Sequence, residues 1–285
     1  MKIKPSVQAY LLLSPALITV VLALVVCLGV MLVLSVWTQS YLDISATWTL
    51  DNYQQLIEKP LFLKLLLRSA AISAIVTLVS VALAYPMAYF IAFDVHDRKL
   101  TWLIFLTLPF WISYLLRILS WKLILGFNGI INTALIEGGV VTEPLSFLLY
   151  NPTAVVIALI HAWAPFALLP IYVSLEKIDR SLIAASSDLG DSPVWTFLRV
   201  TLPLSTPGVT AAALLIFIPT FGDYITPALV GGPSGAMIGT FITLQFGASN
   251  NWPLGSAVSI ASMLIATLIA CLALGGARRA LRWAN

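Results

Sequence analysis

The sequence predicts an all-α polytopic membrane protein with six transmembrane helices, and three observations carry that expectation. Of its 285 residues, 60% are hydrophobic and only 9% are charged, against about 25% charged in an ordinary soluble chain. The mean hydropathy is +0.99. Six stretches are each long and apolar enough to cross a bilayer, which takes about 20 residues because a helix rises about 1.5 Å per residue and satisfies its backbone internally. Too little polar surface remains to coat a water-facing core or to keep the chain disordered. Its main solvent is therefore lipid.

The spans fall near residues 11–36, 69–93, 100–125, 152–175, 207–230 and 254–277. The first follows a short basic leader, is too long for a signal-peptide core and has no small-residue cleavage site after it, so it stays as a helix. The third contains Arg117 and Lys122, expected to snorkel toward the outer interface along their aliphatic stems. Trp111 and Tyr114 lie three residues apart on this span and Arg117 continues their face. Aromatic faces hold an ammonium with about 0.5–2 kcal/mol, although the same spacing also suits helix packing and interface anchoring. Arg117 repels a cationic cargo unless it is paired; pointing unpaired into the pathway, it favours an anionic or zwitterionic cargo over a cation.

The fifth span carries Pro219, Gly222, Asp223 and Pro227, with Tyr224 beside the acid. Each proline removes a helix hydrogen bond, and a carboxylate facing lipid costs about 2.5 kcal/mol or more near the bilayer centre. A broken helix with an acid points to a water-lined surface. Asp223 either meets a cargo, pairs with Arg117 or caps the backbone break. The candidate translocation residues are Trp111, Tyr114, Arg117, Asp223 and Tyr224.

Basic residues set the expected orientation, because cytoplasmic loops retain positive charge. With the N-terminus inside, ten of the 15 basic residues are cytoplasmic: Lys2, Lys4, Arg98, Lys99, Lys177, Arg180, Arg199, Arg278, Arg279 and Arg282. Lys59, Lys64 and Arg68 lie outside. The loops at 126–151 and 231–253 contain no lysine or arginine. Six crossings return the C-terminus to the cytoplasm, and Trp37, Trp102, Trp252 and Trp283 sit near span ends, where tryptophan is favoured. The chain, 1–285, reads as one membrane domain, with a long inner loop at 176–208 inside it.

Several function classes are excluded. A net charge of +3 is too small and too scattered for a nucleic-acid footprint. Cys27 and Cys271 sit in apolar runs without the spacing of a zinc site or disulfide framework. His96 and His161 make no metal cluster. No GxxxxGK[ST], GxSxG or HExxH occurs, so the chain neither binds nucleotide by a phosphate loop nor carries a recognisable hydrolytic site. A secondary transporter driven by an ion gradient remains the alternative, although Asp223 is the one unambiguous intramembrane acid.

The 176–208 loop is polar but not disordered. Ser181 is expected to cap a short helix over 182–189, with Leu182, Ala185 and Leu189 on one face and Gly190 as the left-handed stop. Asp191 or Ser192 then caps a second helix with Pro193 at its first position, and Trp195, Leu198 and Leu202 form an apolar stripe until Pro203 ends it. Thr206 and Pro207 repeat the start signal for the fifth span. This bihelical knob suits either a protein partner or the membrane surface.

Ala184-Ala185-Ser186, then Gly190, then Val200-Thr201-Leu202-Pro203 resembles the cytoplasmic loop of binding-protein-dependent ABC importer permeases. That pattern is Glu-Ala-Ala, three residues, Gly, nine residues, then Ile-x-Leu-Pro. Ala185, Gly190, Leu202 and Pro203 match it. Asp188 and Leu189 match its frequent Asp-Leu-Gly ending, and Val200 replaces the isoleucine. Ala184 stands where the pattern has glutamate and Ser186 where it has the second alanine, so a salt bridge made through that carboxylate is missing or supplied elsewhere. Asp188, Glu176 and Asp179 are the candidates to supply it.

The segments 108–117, 126–132, 220–239 and 251–259 look like the spermidine/putrescine branch of this family. The resemblance implies the type I ABC importer (MetI-like) permease fold in the bacterial inner membrane. It implies no cofactor bound by this chain, with ATP and Mg held by a partner ATPase. The implied partners are two ATPase copies on the knobs, a second permease, identical or related, and an external binding protein over the loops at 37–68, 126–151 and 231–253. The ATPase-coupling residues would be Ala184, Ala185, Ser186, Asp188, Leu189, Gly190, Leu202 and Pro203.

Overall fold

In the computed structural model, which describes residues 5–41 and 43–284, helices dominate. They run in the order α1 (Pro5–Ser35), α2 (Asp51–Glu58), α3 (Pro60–Phe93), α4 (Lys99–Thr107), α5 (Tyr114–Leu125), α6 (Ile130–Glu137) and α7 (Pro152–Glu176). There follow α8 (Arg180–Asp188), α9 (Pro193–Thr196), α10 (Leu202–Phe221), α11 (Ile238–Phe246) and α12 (Trp252–Ala284). One short antiparallel hairpin, β1 (Thr38–Ser40) and β2 (Asp43–Ser45), lies between α1 and α2. Among the described residues, six helical stretches are long and apolar enough to cross a membrane: Leu13–Ser35, Pro60–Phe93, Tyr114–Glu137, Pro152–Glu176, Pro193–Phe221 and Trp252–Gly276. Lys2 and Lys4, and the side chains of Arg278, Arg282 and Trp283, lie outside what is described.

The chain divides into two compact units, Met1–Pro60 with Ile242–Met263 and Leu61–Phe241 with Leu264–Asn285. In the first, α1 from Leu13 onward buries none of its apolar window against the rest of the chain. A helix hydrophobic all round and uncovered belongs in lipid or against another chain. Its last turn is finished by α2: Asn52 Nδ2 donates to the carbonyls of Ser35 (3.0 Å) and Trp37 (2.8 Å), and Tyr53 donates to Ser35 Oγ at 2.8 Å. These bonds satisfy acceptors that a helix end leaves open.

In the second unit α3, α7 and α10 enclose a core rich in alanine, including Ala84, Ala88, Ala154, Ala158, Ala162 and Ala212, all buried. Lipid gives helices no hydrophobic reason to associate, so small residues that let backbones approach must supply the packing. Asn151 caps α7, accepting from the amides of Thr153 (2.8 Å) and Ala154 (3.1 Å) ahead of Pro152.

Three expectations need correction. The third span is not one helix over 100–125. Pro109 cannot donate a helix bond, so α4 tightens into a 3-10 turn at Leu108–Trp111, the backbone extends at Ile112 and Ser113, and α5 starts afresh at Tyr114. The stretch long and apolar enough to cross is instead Tyr114–Glu137, made of α5 and α6 with a break at 126–129 between them. Second, Pro203 does not end the second knob helix. A π turn over Phe197–Thr201, in which the Leu202 amide donates to the Phe197 carbonyl, makes room for the proline ring and lets the helix run from Pro193 to Phe221. Third, Asp179 rather than Ser181 caps α8, accepting from the Ser181 amide at 2.9 Å.

Candidate functional site

Two regions carry the candidate chemistry. The first lies where the breaks of the third and fifth spans meet. Helix α10 ends at Phe221, Gly222 and Asp223 leave the helix, and a π turn follows at Pro227–Gly231. Asp223 is 8% exposed. Its Oδ1 accepts from the Ile225 amide at 3.0 Å, restarting the helix, and its Oδ2 accepts from the Tyr114 hydroxyl at 2.8 Å. The Tyr114 oxygen lies 2.7 Å from Thr226 Oγ1; because its own proton goes to the carboxylate, Thr226 is the donor there. Both carboxylate oxygens are thus engaged, which keeps a charge tolerable in apolar surroundings.

Arg117 does not snorkel. It is 6% exposed, and its guanidinium donates to three carbonyls, Phe110 (3.1 Å), Ile112 (2.9 Å) and Ala162 (2.9 Å), with Phe110 also 5.8 Å away as a ring partner. The broken third span leaves carbonyls without helical donors, and a cation at that end suits both the vacant acceptors and the helix dipole. Among the described residues the ion pairs are Lys99–Glu176 and Arg199–Asp191, so Arg117 and Asp223 do not form one. Of the alternatives for Asp223, capping the break is realised and pairing with Arg117 is not.

A cavity of about 300 Å³ opens between these elements, lined by Phe110, Ile112, Tyr114, Arg117, Ala162, Trp163, Phe166 and Asp223. Trp163 packs on Phe166 with ring centres 4.9 Å apart and on Tyr114 at 6.2 Å. One carboxylate among aromatic faces is chemically suited to an ammonium group. Arg117 lines the same cavity: its two terminal nitrogens bond backbone carbonyls, its Nε has no hydrogen-bond partner among the described residues, and no ion pair among them neutralises its charge, so one cation stands beside the one carboxylate. Trp111 and Tyr224 do not line it; they are 85% and 48% exposed. Trp111, Tyr114 and Arg117 therefore share no continuous helix face, because the break intervenes. Thr226, Trp163, Phe166 and the Ala162 carbonyl were not legible in the sequence. Only spacing could have flagged them, and they approach from other helices. Gly239 at the start of α11 packs directly on the carbonyls of Gly222 and Asp223, and any Cβ there would overlap them.

The second region is the 176–208 loop. Helix α8 and the helix beginning at Pro193 meet at Gly190, whose φ is +91°, a conformation that a β-branched residue resists. The Asp179 carboxyl is held below its usual range, chiefly by the Ser181 backbone N–H. Lys99 Nζ bonds both Glu176 oxygens at 2.9 Å and the Ala92 carbonyl at 3.0 Å, and Arg180 reaches that carbonyl at 3.2 Å, fastening the loop's base to α3 and α4. Of the candidate substitutes for the motif glutamate, Glu176 and Asp179 are thus committed to these local roles. Leu182, Ala184, Ala185, Asp188, Leu189, Val194, Trp195 and Leu198 are exposed, Leu189 at 88%. Ser186 is buried. Leu202 and Pro203 are half-buried in the through-running helix. Within the loop, Phe197 packs edge-on against Tyr85 of α3 at 5.6 Å, and Tyr85 bonds Ser205 Oγ at 2.8 Å. Among the described residues no group of three or more His, Cys, Asp or Glu could hold a metal.

A lipid-solvated helical chain with two broken spans around a buried acid, and an uncovered knob continuous with one of those spans, defines a membrane permease. The family model described as binding-protein-dependent transport system inner membrane component matches residues 72–281, and the chain belongs to that family. It is 37% identical over 226 residues to the spermidine/putrescine transport system permease protein PotB of Escherichia coli strain K12, covering 79% of this chain and 82% of that protein. It is 39% identical over 223 residues to PotB of Haemophilus influenzae, covering 78% and 77%. In fold it is similar to a chain of a bacterial ABC transporter involved in import of the acidic polysaccharide alginate, with TM-score 0.69, 16% identity and coverage of 96% and 97%. A chain of the MetNI methionine ABC transporter matches at TM-score 0.53 and 19% identity, covering 80% of this chain and 99% of that one. The protein is accordingly a multi-pass inner-membrane permease subunit of an ATP-driven, binding-protein-dependent importer. Hydrolysis of ATP belongs to a separate subunit.

Proposed function

We infer that this permease imports a polyamine or a closely related small organic cation, and that the 176–208 loop is where the partner ATPase drives it. The observation that carries the coupling half is the exposed apolar face of the knob on a helix that continues unbroken to the Asp223 break. That helix spans 29 residues, or about 43 Å at the usual rise, so displacement of the knob reaches the acid. Ala184, Ala185, Asp188, Leu189 and Gly190 form the docking surface. Ser186, Leu202 and Pro203 shape it from behind.

The cargo half is supported by likeness to relatives named for spermidine and putrescine and by the one carboxylate among aromatic rings in the cavity, which has to outweigh the unpaired Arg117 in the same lining. Tyr114 and Asp223 would receive an ammonium, with Trp163 and Phe166 as cation–π walls. Trp111 and Tyr224 lie outside the cavity and would meet cargo only in another conformation. Arg117 holds the break in shape. The knob and both termini would be cytoplasmic, in keeping with the distribution of lysine and arginine. Two ATPase copies, using ATP and Mg, would bind the paired knobs of this chain and a second permease, while an external binding protein delivers cargo to the opposite face.

Reconstitution of the permease with its ATPase and binding protein tests this reading. Spermidine-loaded binding protein should stimulate ATP hydrolysis and spermidine uptake, and Asp223→Asn should cut uptake about tenfold or more, as loss of one charged contact does. Uptake by the chain alone on an ion gradient would reject the coupling half. Unchanged cation uptake in Asp223→Asn would reject the cargo half.

A further inference from the structure

Asp191 sits just past Gly190 and bonds to the helices on both sides of it. Its Oδ2 accepts from Ser186 Oγ on α8 at 3.0 Å, and its Oδ1 accepts from Arg199 Nη1 in the π turn at 2.8 Å. Ser186 Oγ is also 3.1 Å from Thr196 Oγ1 on α9, and the Asp191 amide donates to the Ser186 carbonyl at 3.2 Å. The Arg199 guanidinium lies 4.8 Å from the centre of the Trp195 ring, which fixes its direction. Ser186 and Thr196 are only 7% and 5% exposed, whereas the Arg199 side chain is 61% exposed.

Two short helices joined at a left-handed glycine have a soft mutual angle, because glycine accepts a wide range of backbone conformations. An apolar core could stiffen such a joint. Here the buried residues between the helices are a serine and a threonine, so polar bonds set the angle. The carboxylate at their centre is Asp191, where Ala184 has removed the acid from the position the family pattern gives it.

We propose that Asp191, through Ser186 and Arg199, is the positioning residue that locks the two helices of the loop into one lever, so that a push on α8 reaches α10 instead of being absorbed at Gly190. This rests on the reading of the loop as the ATPase contact. The Arg199 pair alone is too exposed to stabilise the fold much. Its effect is on transmission.

The test is cargo transported per ATP hydrolysed, with spermidine, in vesicles holding the full permease, ATPase and binding-protein assembly, normalised to recovered complex. Wild-type vesicles without ATP-dependent uptake would overturn the coupling reading and this inference with it; a defect confined to the variants isolates the lock. Asp191→Ala should lose about tenfold, a loss typical of coupling free energies between sites, and Arg199→Ala several-fold less. The double variant should be no worse than Asp191→Ala, since both remove one lock. Asp191→Glu should recover most of the yield. Asp191→Asn, which keeps the bond to Ser186 without the ion pair, should fall between and serves if the alanine variant does not assemble. Wild-type yield in Asp191→Ala or Asp191→Asn, or losses that multiply in the double variant, would overturn the proposal.

Discussion

The bonds that set the shape inside the 176–208 loop and those that close the site around Asp223 span very different sequence distances, although the loop's base is tied to distant Lys99 and Ala92 and Asp223 also bonds its neighbour Ile225. In the loop, Asp179 bonds two residues away, Ser186 and Asp191 are five apart, Asp191 and Arg199 eight, and Ser186 and Thr196 ten. Around Asp223, the bond from Tyr114 crosses 109 residues, that between Tyr114 and Thr226 crosses 112, and that from Arg117 to Ala162 crosses 45. A locally bonded element keeps its shape when displaced, as a lever must. A site bonded across helices reports how those helices sit, so its contacts change whenever the spans rearrange. The knob is built to transmit and the broken spans are built to respond.

That contrast can be broken at its stiff end first. Gly190→Val forces a β-branched residue into φ +91° and should reduce cargo-stimulated ATP hydrolysis to the unstimulated level. The thermal unfolding of the purified permease should barely move, because the membrane-embedded core is untouched. The next largest effect belongs to Arg117→Gln. It leaves carbonyls of Phe110, Ile112 and Ala162 short of donors, at about 1–3 kcal/mol for each buried group left unsatisfied. Thermal unfolding in detergent should fall by several degrees, and uptake should fail with it.

Tyr114→Phe sharpens the comparison at the responsive end. It removes the hydroxyl that bridges Asp223 and Thr226, worth about 1 kcal/mol of hydrogen bonding. The expected result is a small change in stability with a several-fold change in the cargo concentration needed for half-maximal uptake. The smallest effect is expected from Lys99→Gln at the knob's base. Its side chain is 22% exposed and its Glu176 partner 41%, so the ion pair contributes about 0–1 kcal/mol. Denaturation in low and high salt should differ less for the variant than for the wild type, since salt screens the pair it lacks.

Much of the knob was legible because its signals are local. Gly190 as a left-handed stop and Pro193 at a helix start are properties of single residues and their neighbours. Pro203 misled for a related reason: a proline normally stops a helix, and only the wider π turn at Phe197–Thr201 lets this one continue. Asp223 was recognisable as a buried acid in a broken span. Its partners were not, since nothing in the spacing of Tyr114 or Thr226 says that two helices bring them within 3 Å. Arg117 was misjudged as a snorkelling side chain because the backbone break that needs it becomes visible only when Pro109, Ile112 and Ala162 are seen together.

By itself the sequence determined that this chain lives in lipid, how many stretches are long and apolar enough to cross, that the fifth span is interrupted and where its bihelical loop lies. Those properties follow from hydrophobicity and from the backbone chemistry of proline and glycine, which act over one helix turn. The tertiary structure alone decided that Arg117 serves three carbonyls instead of a carboxylate, that Tyr114 and Thr226 hold Asp223, and that one continuous helix joins loop to break. Inside a membrane an orphaned polar group has no water to turn to, so its partner is whichever group the packing of other helices brings near.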